Sequence, residues 1–150
     1  MDAAAVEARL DESQSGEIQF LELVLPEQTN HYGTLYGANA LHLMGKAAFV
    51  CASRRARRTI VMAKSDAIDF RKPVKLGHLI DIRARVAAEG RTSLTVCVDV
   101  IAEDLADGSR YPAISGNFVM VAVDRDGRPT PLAPDANFKP DACPQEDLHP

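Results

Sequence analysis

Between Ala38 and Arg57 the chain carries apolar residues on nearly every side of a helical wheel: Ala38, Leu41, Leu43, Met44, Ala47, Ala48, Phe49, Val50, Cys51 and Ala52. A helix that is apolar almost all round must be wrapped by other structure. At 1.5 Å per residue it would be about 30 Å long. Asn39, His42 and Lys46 interrupt the run, and polar groups at that density are costly in a bilayer core. The run therefore predicts a buried helix of a soluble protein. Arg54, Arg55, Arg57 and Arg58 close it, where cations suit the negative end of the helix dipole.

Whatever wraps this helix must come from strands, because the remaining patterns alternate. Ile18–Leu25 is expected as the first strand. Its apolar positions switch from Ile18 and Phe20 to Leu21, Leu23 and Leu25, which predicts a bulge or a strand covered on both sides. Pro26 ends it. Ile60–Phe70 is the second strand. Leu79–Ala88 places Ile80, Ile82, Ala84 and Val86 on one face, with Asp81, Arg83 and Arg85 on the other. Thr92–Glu103 places Leu94, Val96, Val98 and Val100 on one face, and Arg110–Asp124 is the last strand. Turns fall at Glu89-Gly90-Arg91, Asp107-Gly108 and Asp126-Gly127. The reading is an α+β domain over residues 17–131, an antiparallel sheet curled around one helix. Residues 1–16 are expected to be a flexible lead-in, and 132–150 a proline-rich, partly disordered tail. A single sheet leaves one flank of the helix open, and burial alone then predicts a homodimer at least.

Composition narrows the function. A chain of 150 residues with 46% hydrophobic content suits one core. The net charge of −4 and the lack of tryptophan argue against nucleic acid as a partner. The first sixteen residues lack an apolar secretory core, so the expected location is cytoplasmic, with no membrane association. Cys51, Cys97 and Cys143 are too far apart for metal-ligand spacing, and their odd number argues against a disulfide framework. Reduced thiols and no bound metal are the expectation.

The polar, glycine-punctuated segment before the helix, residues 26–39, reads Pro-Glu-Gln-Thr-Asn-His-Tyr-Gly-Thr-Leu-Tyr-Gly-Ala-Asn. It delivers unpartnered first-turn N–H groups to a place where a carbonyl or an anion can approach. Gly33 and Gly37 permit that approach, or simply make the turn.

Pro26, Thr29-Asn30, Gly33-Thr34-Leu35, Gly37, Met44 and Ala47-Ala48 form an ordered series. It continues through Asp66, Phe70, Lys72-Pro73-Val74, Gly77 and Gly90-Arg91-Thr92-Ser93. It ends with Phe118, Val121–Asp124, Gly127-Arg128-Pro129 and Pro131. In order and spacing it resembles the acyl-CoA hydrolase branch of the hotdog-fold thioesterases, over about Leu23 to Pro131. The resemblance implies a hotdog fold, dimers often assembled as trimers of dimers, and hydrolysis of fatty acyl-CoA at subunit interfaces. It implies no cofactor, since CoA is part of the substrate.

Thioester hydrolysis needs oriented donors for the carbonyl oxygen, an activated water or a nucleophile, and a hold on CoA. Backbone N–H groups of Gly37 and Ala38 are the candidates for the first, with Asn30 at the family's asparagine position. For the second, the family has an aspartate after the helix methionine, where this chain has Gly45. No carboxylate lies between Ala38 and Met62. His42, one turn earlier on the same face, and Asp66 on the next strand are the candidate replacements. For the third, Arg57, Arg58 and Lys64 offer phosphate contacts, and Gly90, Arg91, Thr92 and Ser93 a turn toward the pantetheine or nucleotide. The same cations could instead be a solvated helix end. The expected activity is acyl-CoA hydrolysis with an atypical site. The alternative is a catalytically impaired acyl-CoA-binding or structural hotdog subunit, with a hotdog dehydratase a weaker third.

Overall fold

The computed structural model describes residues 2–4 and 17–134. Strand β1 (Glu17–Leu23) leads through a 3-10 turn (Pro26–Gln28) to helix α1 (Gly37–Ala56). Strands β2 (Thr59–Phe70), β3 (Leu79–Glu89), β4 (Ser93–Glu103) and β5 (Arg110–Val123) follow. The five form one antiparallel sheet in the order β1-β3-β4-β5-β2. α1 lies across its inner face and touches all five strands. This is the helix-in-sheet architecture expected of the sequence. The expectations for the lead-in and tail fall mainly on residues outside those described.

The register explains the core. Ile82 faces Val100 and Ala84 faces Val98, so the apolar sets of β3 and β4 share one buried face. Phe118, Met120 and Ala122 of β5 complete it. The helix meets that face through Ala40, Leu43, Met44, Ala47, Ala48, Cys51, Ala52 and Ala56. Small residues let the axis approach the sheet closely. Its opposite flank is not covered: Leu41, Phe49 and Val50 are exposed.

Asp81 is on the face of β3 opposite Ile80 and Ile82, as expected, yet it is only 4% exposed, because Gln19, Arg83 and Arg110 close over it. Two expectations are corrected. β1 pairs with β3 in unbroken register, without a bulge, and Leu21 and Leu23 are exposed on its outer side. Cys97 is disulfide-bonded rather than a thiol. Cys51 is a buried thiol, and burial pushes it up to about 12.

Single register shifts occur between Val86 and Ala88 of β3 and between Val100 and Ile101 of β4, and two sit on β2. Its register with β5 shifts between Met62 and Lys64 and again between Asp66 and Asp69. At the second shift Ala67 adopts a positive φ of 50°. Ile68 then turns into the core opposite Gly116, where an added Cβ would lie 2.3 Å from Ile68 Cδ1. The missing side chain at Gly116 is what makes room for the bulge.

Candidate active site

The loop before α1 is built from its own polar groups. Asn30 Oδ1 accepts hydrogen bonds from the N–H of Tyr32 (3.0 Å), the N–H of Thr34 (3.2 Å) and the Thr34 hydroxyl (3.2 Å). Three donors on one oxygen fix the orientation of the amide. Its NH2 group bonds no acceptor among the described residues. Gly33 takes the positive φ of 75° that closes this turn. Asn39 in the first helical turn donates to Gln28 O (3.0 Å) and ties the helix back to the loop.

Tyr36 occupies the N-cap and supplies no side-chain acceptor. The N–H groups of Gly37 and Ala38 thus keep the partial positive charge of an uncapped helix start. Gly37 opens into a cleft of about 210 Å³, shared with Thr34, Leu35, Phe70, Lys72, Pro73, Val74 and Ile114. A Cβ at Gly37 would stand 3.7 Å from the Phe70 ring, so glycine keeps the mouth of the cleft wide.

The far wall of the cleft is a strap, residues 71–78. Leu35 N–H donates to Val74 O (2.7 Å) and Leu76 N–H to Gly33 O (2.9 Å). The N–H groups of Arg71 and Lys72 both reach Ala113 O (2.9 and 3.3 Å). Donors at the mouth, a cation at Lys72 and apolar walls at Phe70, Pro73 and Val74 suit a polarised carbonyl joined to an apolar chain and an anionic carrier.

Asn30 lies in the loop before α1 and Gly37 and Ala38 in its first turn, and of these Gly37 lines the cleft. His42 is exposed on the open flank of α1. Asp66 is also exposed; its carboxylate accepts the Ala67 N–H (2.8 Å) and stands 4.0 Å from Lys64 Nζ. Neither residue lines the cleft. Gly45 is half-buried, and the tip of Met62 fills the space above it, 3.1 Å from where a Cβ would stand.

Arg57, Arg58 and the Gly90–Ser93 turn lie at the other end of the molecule. Arg57 caps the C-terminus of α1 in the left-handed conformation, its N–H on Ser53 O (2.8 Å). Arg55, two residues earlier, forks onto Glu89 at the end of β3, with Nη2 2.8 Å from Oε2. That fork anchors the helix end beside the Gly90 turn, where Gly90 N–H donates to Ser93 O (2.8 Å). Twenty helical residues, about 30 Å, separate this group from Gly37 in one chain. Lys64 lies between them on β2, and its side chain is exposed.

The sequence reading missed the groups that hold the strap. Tyr111 Oη donates to Pro73 O (3.1 Å), and His78 and Asp104 stand behind it. No local pattern marks these residues, since strand pairing alone makes them neighbours. Among the described residues no cluster of His, Cys, Asp and Glu has the makings of a metal site. No helix there is long and apolar enough to cross a membrane.

Comparison with known proteins agrees with this fold. Residues 32–109 match the family model described as the thioesterase superfamily. The acyl-CoA thioester hydrolase YciA of Salmonella typhimurium is 30% identical over 126 residues, covering 82% of this chain and 95% of that protein. Among solved structures, an apo-hexameric acyl-CoA thioesterase superposes with a TM-score of 0.77 at 33% identity, covering 79% of this chain and 76% of that one. The acyl-CoA hydrolase of Staphylococcus aureus, in complex with butyryl coenzyme A, coenzyme A and coenzyme A disulfide, gives 0.75 at 27% identity, covering 79% and 72%.

Proposed function

This chain belongs to the thioesterase superfamily and has its hotdog fold, and from that premise we propose that it hydrolyses acyl-CoA to free acid and CoA. The observation that carries the reading is the uncapped start of α1 opening into the Phe70–Val74 cleft. The thioester oxygen lies against the Gly37 and Ala38 amides, with the Asn30 NH2 beside it. Such donors strengthen their hold as the oxygen gains charge. No cofactor takes part, and the setting is the cytoplasm. The catalytic domain is residues 17–131.

The site is completed by a second copy. β2 is an edge strand with Val61, Met62 and Phe70 exposed. A long apolar edge is a template for pairing. Antiparallel pairing of two β2 strands sets the Thr59 end of one against the Phe70 end of the other. The partner subunit's Arg57 and Arg58 then come to the Lys72 side of the cleft. There they meet the phosphates of CoA, with Lys64 and the Gly90–Ser93 turn further along.

Gly45 removes the family's helix carboxylate, and neither His42 nor Asp66 lines the cleft to replace it, so water attacks without a side-chain base of the cleft and turnover is slow. A thiol-release assay across acyl-CoA chain lengths tests the reading: turnover above background is expected, and none with any thioester would end it. Gly45→Asp is expected to raise kcat by about 100-fold, the contribution typical of a placed general base.

One observation favours a second reading. With no acid on α1 and Met62 lying over Gly45, the protein would bind acyl-CoA without cleaving it. Calorimetry with CoA and a non-hydrolysable acyl-CoA separates the two.

A further inference from the structure

We infer that Cys97 is joined to Cys143, and that this disulfide holds the C-terminal segment, residues 135–150, in an arginine-lined groove on the outer face of the sheet until reduction releases it. The inference does not depend on the acyl-CoA reading.

The pairing follows by elimination. The chain has three cysteines. Cys51 is a buried thiol on α1, and Cys97 is disulfide-bonded. Cys143 is the remaining partner within the chain. Cys97 stands near the middle of β4, between Arg85 of β3 and Asn117 of β5. Val96 and Val98 on either side of it belong to the core, so Cys97 points to the face away from α1.

The segment has the length to arrive there. The chain before it lies beside the start of β4: Leu132 N–H donates to Arg91 O (2.9 Å), and Arg55 Nη2 stands 3.4 Å from Ala133 O. From Arg91 to Cys97 is about 20 Å of strand. The chain from 134 to 143 spans up to about 30 Å, which leaves enough to turn onto the outer face.

Charge identifies what it meets. The segment carries Asp135, Asp141, Glu146 and Asp147 against Lys139. Beside Cys97 the outer face holds a groove of about 250 Å³, lined by Arg71, Arg83 and Arg85 with Glu17, Asp99 and Ser115. Asp69 and Asp81 stand beside Arg71 and Arg83, but a guanidinium with five N–H donors serves a second carboxylate as well. Arg83 turns Nε and Nη2 to Asp81 (3.4 and 2.9 Å), and its Nη1 has no partner among the described residues. The groove reaches from Asp99 to Ile101, about 7–13 Å along β4 from Cys97. A chain continuing past Cys143 in the direction of β4 carries Glu146 and Asp147 about 10–13 Å, over that groove.

Release is a two-electron reduction. Two molecules of a small thiol leave joined as their own disulfide, the Cys97–Cys143 bond breaks, and each sulfur takes up a proton to end as a thiol. Disulfides of cytosolic proteins are mostly of this transient kind.

Peptide mapping of the full chain purified without reductant is expected to find Cys97 linked to Cys143. A Cys97–Cys97 link between two chains, or Cys97 as a thiol, overturns the pairing. Docking is tested by a glutamate-specific protease, with cleavage of the Glu146–Asp147 bond followed by mass spectrometry. Cleavage is expected to be several-fold slower in the oxidised protein than after reduction or in Cys143→Ser. Salt at about 0.5 M is expected to speed it in the oxidised protein by screening the carboxylate–arginine contacts. Equal rates in oxidised and reduced protein would mean a tethered segment that rests on nothing, and would overturn the docking.

Discussion

A glycine in the interior of a helix weakens it by about 1 kcal/mol relative to alanine, so Gly45 is not there for the helix. Its effect is on the space above it, which the flexible tip of Met62 enters. The contact is with the end of a flexible side chain, which needs to shift only a few tenths of an ångström, so a larger residue at 45 can be accommodated. Asp81 is the opposite case, a charge kept inside. Burial alone would push its carboxyl up, but bonds from Arg83 (2.9 Å), Gln19 (2.9 Å) and Arg110 (2.7 Å) together hold it below the usual carboxylate range. A carboxyl lowered in this way stabilises the fold above its ordinary pKa, and that contribution is lost as pH falls through the lowered value. Asp81→Asn is expected to cost about 1.5–3 kcal/mol at neutral pH, the worth of hydrogen bonds to a charged group. In urea titrations the gap to wild type should persist from about pH 7 to about pH 5 and close below about pH 4.

β2 is the element whose irregularity matters most. Its second bulge inserts one residue more than β5 offers, turns Ile68 inward and leaves Phe70 beside Gly37. The bulge exists because Gly116 has no side chain. At Gly116→Ala the new methyl would stand 2.3 Å from Ile68 Cδ1 and 3.3 Å from Met44 Cε. Overpacking of this kind costs about 1–3 kcal/mol. Adding Ile68→Ala should recover part of that loss, so the pair is expected to be non-additive in denaturant unfolding. Additive losses would show that the two side chains do not compete for one space. The bulge also carries the cleft, so Gly116→Ala should raise KM as well.

At the scale of the whole molecule, two exposed surfaces adjoin: the Leu41–Phe49–Val50 flank of α1 and the Val61–Met62 stretch of β2. Monomers seldom leave such neighbours bare. The chain is expected to sediment as a dimer or a larger assembly. Replacing Val61 and Met62 together by lysine should shift it toward monomer and remove turnover, because the partner's Arg57 and Arg58 leave with it. Leu105→Lys, at an exposed position on the β4–β5 turn, should change neither. A monomeric wild type with full activity would contradict the shared site.

The elements were legible in the sequence because their causes are local. Alternation of side chains placed β3 at Leu79–Ala88 against the observed Leu79–Glu89, and the apolar run placed α1 within one residue at each end. Glycine and proline marked the turns, and the ordered motifs pointed to the hotdog fold. Asn30 came from the family resemblance, and Gly37 and Ala38 from the polar, glycine-punctuated segment that leads into the helix. The regular alternation hid the burial of Asp81, since three side chains from β1, β3 and β5 had to converge on it. It hid the fit of Ile68 to Gly116 for the same reason. Tyr111, His78 and Asp104 belong to separate stretches that only strand pairing makes adjacent. Periodicity assigns each residue a face, but which groups meet across that face depends on register, and register is set by the packing of the whole sheet on its helix.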